Sequence, residues 1–193
     1  MSRDQMPAEH AILGFLALDA GAGHGYDLAR HFGDGQPLAG VIRLEPGMIY
    51  HHLKKLTRAG WVTPVAQPEA VRLARQVYAL TAAGREELAR WLGEPVGHTR
   101  EIRLDFLVKL YFARRLDPGR ASRLLADQRA RLQELERTLA DRQGSVITSP
   151  PEPGDDPAFG RLVLDLRLAQ TRAAIAWLAG VEADVGGPIR SLS

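Results

Sequence analysis

A chain of 193 residues with 45% hydrophobic content can bury one good core or two small ones, so one or two domains are both open. It contains no cysteine, which excludes a disulfide framework, a thiolate nucleophile and a Cys-based zinc site. The net charge of +2 is unevenly spread: residues 30–75 hold seven Lys and Arg against three Asp and Glu, a larger excess than that of the whole chain. The first eight residues are polar and lack the order of a signal peptide, and no apolar run approaches membrane-spanning length. A cytoplasmic location without membrane contact is expected.

In chain order, Ile12, Leu13, Phe15, Leu16 and Leu18 predict a densely apolar helix over Glu9 to Leu18, buried on most sides. Ala20-Gly21-Ala22-Gly23-His24-Gly25 breaks it, and a second short helix follows from Tyr26 to Phe32. After a turn-rich Gly33 to Pro37 comes the most informative stretch, Glu45 to Val62. Pro46 suits a first helical turn and Gly60 a left-handed C-terminal cap. Ile49, Leu53 and Leu56 form the inward stripe, and Tyr50, His51, Lys54, Lys55 and Arg58 the opposite face, with no carboxylate between Pro46 and Gly60. An apolar back with a basic, aromatic front suits the major groove of double-stranded DNA. Trp61 to Val65 and Arg75 to Leu80 alternate as two strands of a hairpin wing, and Thr81 caps a helix over Ala82 to Leu92.

Four motifs in this order, Ala11-Ile12-Leu13-Gly14-Phe15-Leu16, Gly25-Tyr26-Asp27-Leu28, Gly47 to Val62, and Tyr78-Ala79-Leu80-Thr81-Ala82-Ala83-Gly84, resemble the PadR family of bacterial transcriptional regulators. The resemblance covers Ala8 to about Leu92 and, more loosely, the helical remainder. It implies a winged helix-turn-helix that binds operator DNA as a homodimer, usually as a repressor, and that dimerises through C-terminal helices. His51-His52 and a wing tip poor in glycine depart from the family's pattern.

Beyond the winged unit, Ile102, Phe106, Leu107, Leu110 and Tyr111 line one face of a helix over Thr99 to Arg114. Asp117 and Pro118 open a further helix, where Leu125, Gln128, Leu132, Leu135 and Leu139 recur at spacings of three and four. A last helix, Phe159 to Leu178, carries Leu162, Leu166, Ala169, Ala173 and Trp177 on one side. Leu125, Leu132, Leu135, Leu139, Leu162, Leu166 and Trp177 are therefore expected to dimerise the chain. Proline density predicts that Gly144 to Asp156 is a non-helical, exposed connection, and the tail 186–193 is expected to be disordered. The expected architecture is mostly α with a small β-hairpin wing: a winged helix-turn-helix domain at 8–92 and an antiparallel helical dimerisation domain at 94–183.

Within this scheme base contacts fall to Met48, His51 and Lys55, and backbone contacts to Tyr50, Lys54, Arg58, Arg72 and Arg75, with Tyr26 beside a helix N-terminus. Each has a plainer reading: solvated charge for the cations, core packing for Tyr26 and Tyr50. His51 and His52 point in different directions with no third ligand one turn away, so no metal is expected. No phosphate loop or catalytic constellation occurs, and no cofactor or enzymatic activity is expected. A small aromatic or cationic effector is assigned to the aromatics Phe15, Phe106, Tyr111 and Trp177, which are core residues by default. The competing reading is a helical adaptor that binds a protein through its C-terminal stripe.

Overall fold

A computed structural model describes residues 7–65, 76–148 and 156–185. Helix α1, Pro7–Leu18, enters the core almost whole, with every residue from Ala8 to Leu16 buried. Strand β1 (Ala22–His24), α2 (Gly25–Arg30), α3 (Pro46–Arg58), β2 (Val62–Pro64), β3 (Val77–Leu80) and α4 (Ala82–Gly93) complete the N-terminal unit. Ile12 and Leu16 of α1 meet Leu28 of α2, the Ile49, Leu53 and Leu56 stripe of α3, Val62, Leu80, and Leu88 and Leu92 of α4.

The wing is more than a hairpin. Strand β3 is central in a three-stranded antiparallel sheet ordered β1-β3-β2, with Gly23 opposite Tyr78 on one side and Pro64 opposite Tyr78 on the other. The segment expected only to break α1 supplies β1, because the second edge of β3 offers backbone groups that Ala22 to His24 can satisfy. Thr81 caps α4 as expected, its hydroxyl accepting from the Gly84 N–H at 3.0 Å. The same turn is tied to the end of α3: Thr81 donates its N–H to the Trp61 carbonyl and its hydroxyl to the Gly60 carbonyl.

Helix α5 runs Thr99–Glu101, then through a π-helical turn at Ile102–Phe106, and on through Leu107–Leu116. It serves two cores. Val108 and Phe112 close the N-terminal core, whereas Phe106, Leu110 and Ala113 belong to the second, with Leu124, Leu125 and Leu132 of α6 (Pro118–Thr148) and Leu178 of α7 (Pro157–Val185). Helices α6 and α7 are antiparallel, since Arg129 pairs with Glu182, Glu136 with Arg172, and Gln143 with Asp165. The Asp117 carboxylate accepts the Arg120 N–H at 3.1 Å and caps α6. Helix α6 continues to Thr148, so Gly144 to Thr148 are helical, contrary to the expected connection. The prolines responsible for that expectation begin only at Pro150, beyond the end of the helix. No helix among the described residues is long and apolar enough to cross a membrane.

Two buried polar side chains brace the junction between the units. Gln128 accepts from the Val96 N–H at 2.7 Å and donates to the Val96 carbonyl at 3.1 Å, pairing α6 with the linker as a strand would. Lys109 of α5 donates to the carbonyls of Trp91 and Glu94 at 2.6 and 2.7 Å, at the C-terminal end of α4, where orphan carbonyls favour a cation. Burial lowers its ammonium pKa to about 8.

Two tests follow from this packing. A methyl at Gly84 would run into the Trp61 carbonyl oxygen and approach Leu80 Cδ1 at 2.9 Å, with backbone on one side unable to yield. Gly84→Ala should destabilise the fold by about 3 kcal/mol in urea or thermal melts. For Lys109, the folded state binds fewer protons than the unfolded one between about 8 and the ordinary 10.5, so stability attributable to this group rises with pH across that window. Measured against Lys109→Met over pH 7 to 10, the native chain should gain stability; a flat difference would show that the amine is not titrating in the fold.

Candidate nucleic-acid interface

Helix α3 takes the shape its sequence announces. Pro46 occupies its first turn; Gly60 sits at φ +75° just past its end, and the Trp61 N–H returns to the Leu56 carbonyl at 3.0 Å. Ile49, Leu53 and Leu56 are fully buried beneath it. Met48, Tyr50, His51, Lys54, Lys55 and Arg58 face outward. Lys54 and Arg58 have no ion-pair partner among the described residues, so their charges are available to an external anion.

Two phenols adjoin this face. Tyr50 lays its ring against Gly25, where an added Cβ would lie 2.8 Å from Tyr50 Cε1. The bare backbone of Gly25 thus lets the start of α2 approach α3, and Tyr26, the next residue, is 57% exposed. Tyr78 on β3 completes the cluster; burial raises its hydroxyl pKa, and the neighbouring Tyr50 adds to the rise.

Lys55 faces outward as the sequence suggests, but its ammonium has a partner within the fold. Its Nζ lies 2.7 Å from the Glu9 carboxylate, which is 2% exposed within α1. His52, buried in the same turn, places Nδ1 3.3 Å from the same oxygen, Oε1. Because that oxygen can only accept, the imidazole hydrogen belongs on Nδ1. Sequence reasoning missed Glu9 as a member of this site and treated it as the opening of a buried helix. His51 and His52 diverge, their ring planes 79° apart, one exposed and one buried. Among the described residues no cluster of His, Asp and Glu has the arrangement of a metal site. Arg72 and Arg75 lie outside the described residues.

Next to Glu9, His10 faces the other way. Its Nε2 meets Glu87 Oε1 of α4 at 2.9 Å, and its ring stacks on Trp91 with centroids 4.4 Å apart. Burial lowers the His10 pKa despite the raising influence of Glu87. Burial would raise the Glu87 carboxyl, but hydrogen bonds from Arg90 and His10 outweigh it and hold the pKa low. Lys109 then stands 4.7 Å from the centre of the Trp91 ring. A chain of contacts therefore runs from α3 through Glu9 and His10 to Trp91 and Lys109.

The residues named for dimerisation and for an effector divide. Leu125, Leu132 and Leu139 are buried and Leu135 partly so within the chain itself, where Leu125, Leu132 and Leu135 share the second core with residues of α5 and α7. Leu162, Leu166 and Trp177 remain exposed, together with Phe159 and Val163. The four effector aromatics do not converge either. Phe15 and Tyr111 pack edge-on in the first core and Phe106 lies beneath Trp177 in the second. Of the four, Trp177 alone lines an open groove among those described, about 620 Å³, with Ile102, Leu107, Ala173 and the rim residues Arg100 and Arg103.

The model of the transcriptional regulator PadR-like family matches residues 12–90, and that of the virulence activator alpha C-terminal family matches residues 102–185. The chain is 32% identical over 180 residues to the negative transcriptional regulator PadR of Bacillus subtilis (strain 168), covering 90% of this chain and 94% of that protein. It is 35% identical over 95 residues to a probable transcriptional regulator of Mycobacterium tuberculosis, covering 49% of this chain and 48% of the other. Among solved structures, Bacillus subtilis PadR in complex with operator DNA is 28% identical, covering 92% of this chain and 98% of that one, with a TM-score of 0.42. With nearly a third of its residues identical to those of a PadR across nine-tenths of its length, the chain belongs to the PadR-like family of transcriptional regulators.

Proposed function

We propose that this regulator is a homodimeric repressor whose α3 enters the major groove of a palindromic operator. The observation that carries the reading is the outward face of α3: Lys54 and Arg58 lack ion-pair partners among the described residues, no carboxylate stands on the helix, and Tyr50 and Tyr26 adjoin it. In this reading Met48 and His51 meet base edges, while Lys54, Arg58, Tyr50 and Tyr26 hold the backbone, with Arg72 and Arg75 reaching from the wing. The name of the Bacillus subtilis relative, a negative regulator, supports repression. The two family matches, falling on 12–90 and 102–185, support a DNA-binding unit at 8–92 and a dimerisation unit at 94–183. A DNA partner also supports a cytoplasmic location and a non-enzymatic role.

A second copy of the chain is the proposed cover for α7. Phe159 and Leu162 are 62% and 66% exposed, and Leu166 and Trp177 continue the same stripe, more apolar surface than a solvated helix ordinarily shows. A two-fold dimer built there would present two α3 helices about 34 Å apart, one turn of DNA. Release by a small molecule belongs to the same proposal. The groove at Trp177 suits an aromatic or apolar body, and Arg100 and Arg103 on its rim disfavour a cation.

Binding of the full chain to a duplex from its own upstream region, against a scrambled duplex over a salt series, tests the reading. Selective binding that weakens steeply with salt is expected, because each neutralised phosphate releases counterions. Equal, weak and salt-insensitive binding to both would favour the helical adaptor instead. Replacing Leu162 and Leu166 together by Glu should yield a monomer in sedimentation and weaken operator binding about 100-fold or more, since one head cannot benefit from the other. A double variant that remains dimeric with native affinity would move the interface elsewhere.

A further inference from the structure

We propose that Glu9 is the positioning residue of the recognition helix, and that Lys55, held by it, sets how α3 enters the groove without neutralising a phosphate. The inference rests on the DNA-binding reading and deepens it. Glu9 Oε1 is the common acceptor for Lys55 Nζ at 2.7 Å and His52 Nδ1 at 3.3 Å. The two donors lie three positions apart, so they occupy one face of α3 and clamp about one of its turns to α1. The carboxylate is 2% exposed and the Lys55 side chain 48% exposed: the anion is sealed inside, and the cation reaches in from the rim.

The distinction between Lys55 and its neighbours follows from what each would leave behind. If Lys55 moved to a phosphate, a carboxylate that is 2% exposed would lose its ammonium partner and keep only His52, at a cost in free energy. If Lys54 or Arg58 moved, no acid among the described residues would be uncovered. Counterion release from α3 therefore comes from Lys54 and Arg58, while Lys55 fixes the rotation of the helix and thus where Met48 and His51 point. The adjacent His10 fastens the same turn of α1 to Glu87 and Trp91, which keeps Glu9 from following α3 outward.

The experiment uses the full-length chain and an operator duplex selected from random sequence by the native protein. Anisotropy titrations over a salt series are compared for Lys54→Ala, Arg58→Ala, Lys55→Ala, Lys55→Arg and Glu9→Gln. Lys54→Ala and Arg58→Ala should each reduce the salt slope by about 0.9 per subunit. Lys55→Ala should leave the slope unchanged and lower the operator-to-scrambled ratio about tenfold at every salt concentration. Lys55→Arg, which keeps the cation, should restore that ratio, and Glu9→Gln should lose it as Lys55→Ala does. The Glu9→Gln/Lys55→Ala double variant should be no worse than either single one, because both remove one contact. A Lys55→Ala slope as shallow as that of Lys54→Ala overturns the proposal, as does a Glu9→Gln chain with full selectivity. If Glu9→Gln melts early, the Lys55 variants decide alone. Salt-insensitive binding by the native chain would sink the DNA reading instead, so the two failures are distinguishable.

Discussion

Helix α1 has almost no solvent face, and that constraint organises the N-terminal unit around it. A helix buried from Ala8 to Leu16 can keep polar side chains only where each finds a partner, and it carries two in succession. Adjacent positions on a helix diverge by about 100°. Glu9 and His10 therefore cannot serve the same neighbour: one turns to α3 and the other to α4. What looks like two awkward polar residues in an apolar run is a pair of fasteners aimed at different elements. Their contacts orient α3 on one side and seat Trp91 on the other.

The second unit is joined to this arrangement through α5, which has no core of its own. Phe112 and Val108 are as deeply buried in the N-terminal core as Phe106 is in the other, so separating the units would expose large aromatic side chains on both sides. Phe112 also lies against Gly14 so closely that an added Cβ would sit 2.6 Å from its ring. Lys109 adds a directional bond on the same helix, capping α4 while the π-helical turn below it shifts the phase between Phe106 and the residues that follow. The DNA-binding unit is thus fixed to α5 by packing and polar contacts together.

How much of this could be read in advance depended on whether the deciding partner was close in sequence. Helix α3 was legible because Pro46, the Ile49, Leu53 and Leu56 stripe, and Gly60 all act within the helix itself. Thr81 and Asp117 were legible as caps for the same reason. Strand β1 was not, since Ala22, Gly23 and His24 carry no β-branched or aromatic signal and become a strand only because β3 offers a second edge. Lys55 falls on the outer face by helical period, but its flexible stem lets the ammonium turn back to an acid 46 positions earlier. The Leu125, Leu132 and Leu139 stripe was rightly read as a buried face. Leu125 and Leu132 share a core with Phe106 and Leu110 of α5 and Leu178 of α7, and a stripe alone does not state which surface will cover it.

These facts bear on how a repressor of this design would be switched. In the proposed dimer, with Lys55 held by Glu9, each head would bring few cations to the phosphates, and affinity would depend on seating two heads at once. Their separation is then set by the α6 and α7 hairpin, which the proposed dimer would share. Helix α7 has 29 residues and spans about 43 Å, so a rotation of about 5° at one end displaces the other by roughly 4 Å. Since α5 is fixed in both cores, that displacement would be carried to the DNA-binding unit as a rigid body rather than absorbed between the units. A ligand bound against α5 and α7, in a groove that no residue of α3 lines, would need no contact with the recognition surface to spoil the spacing of two half-sites in the proposed dimer.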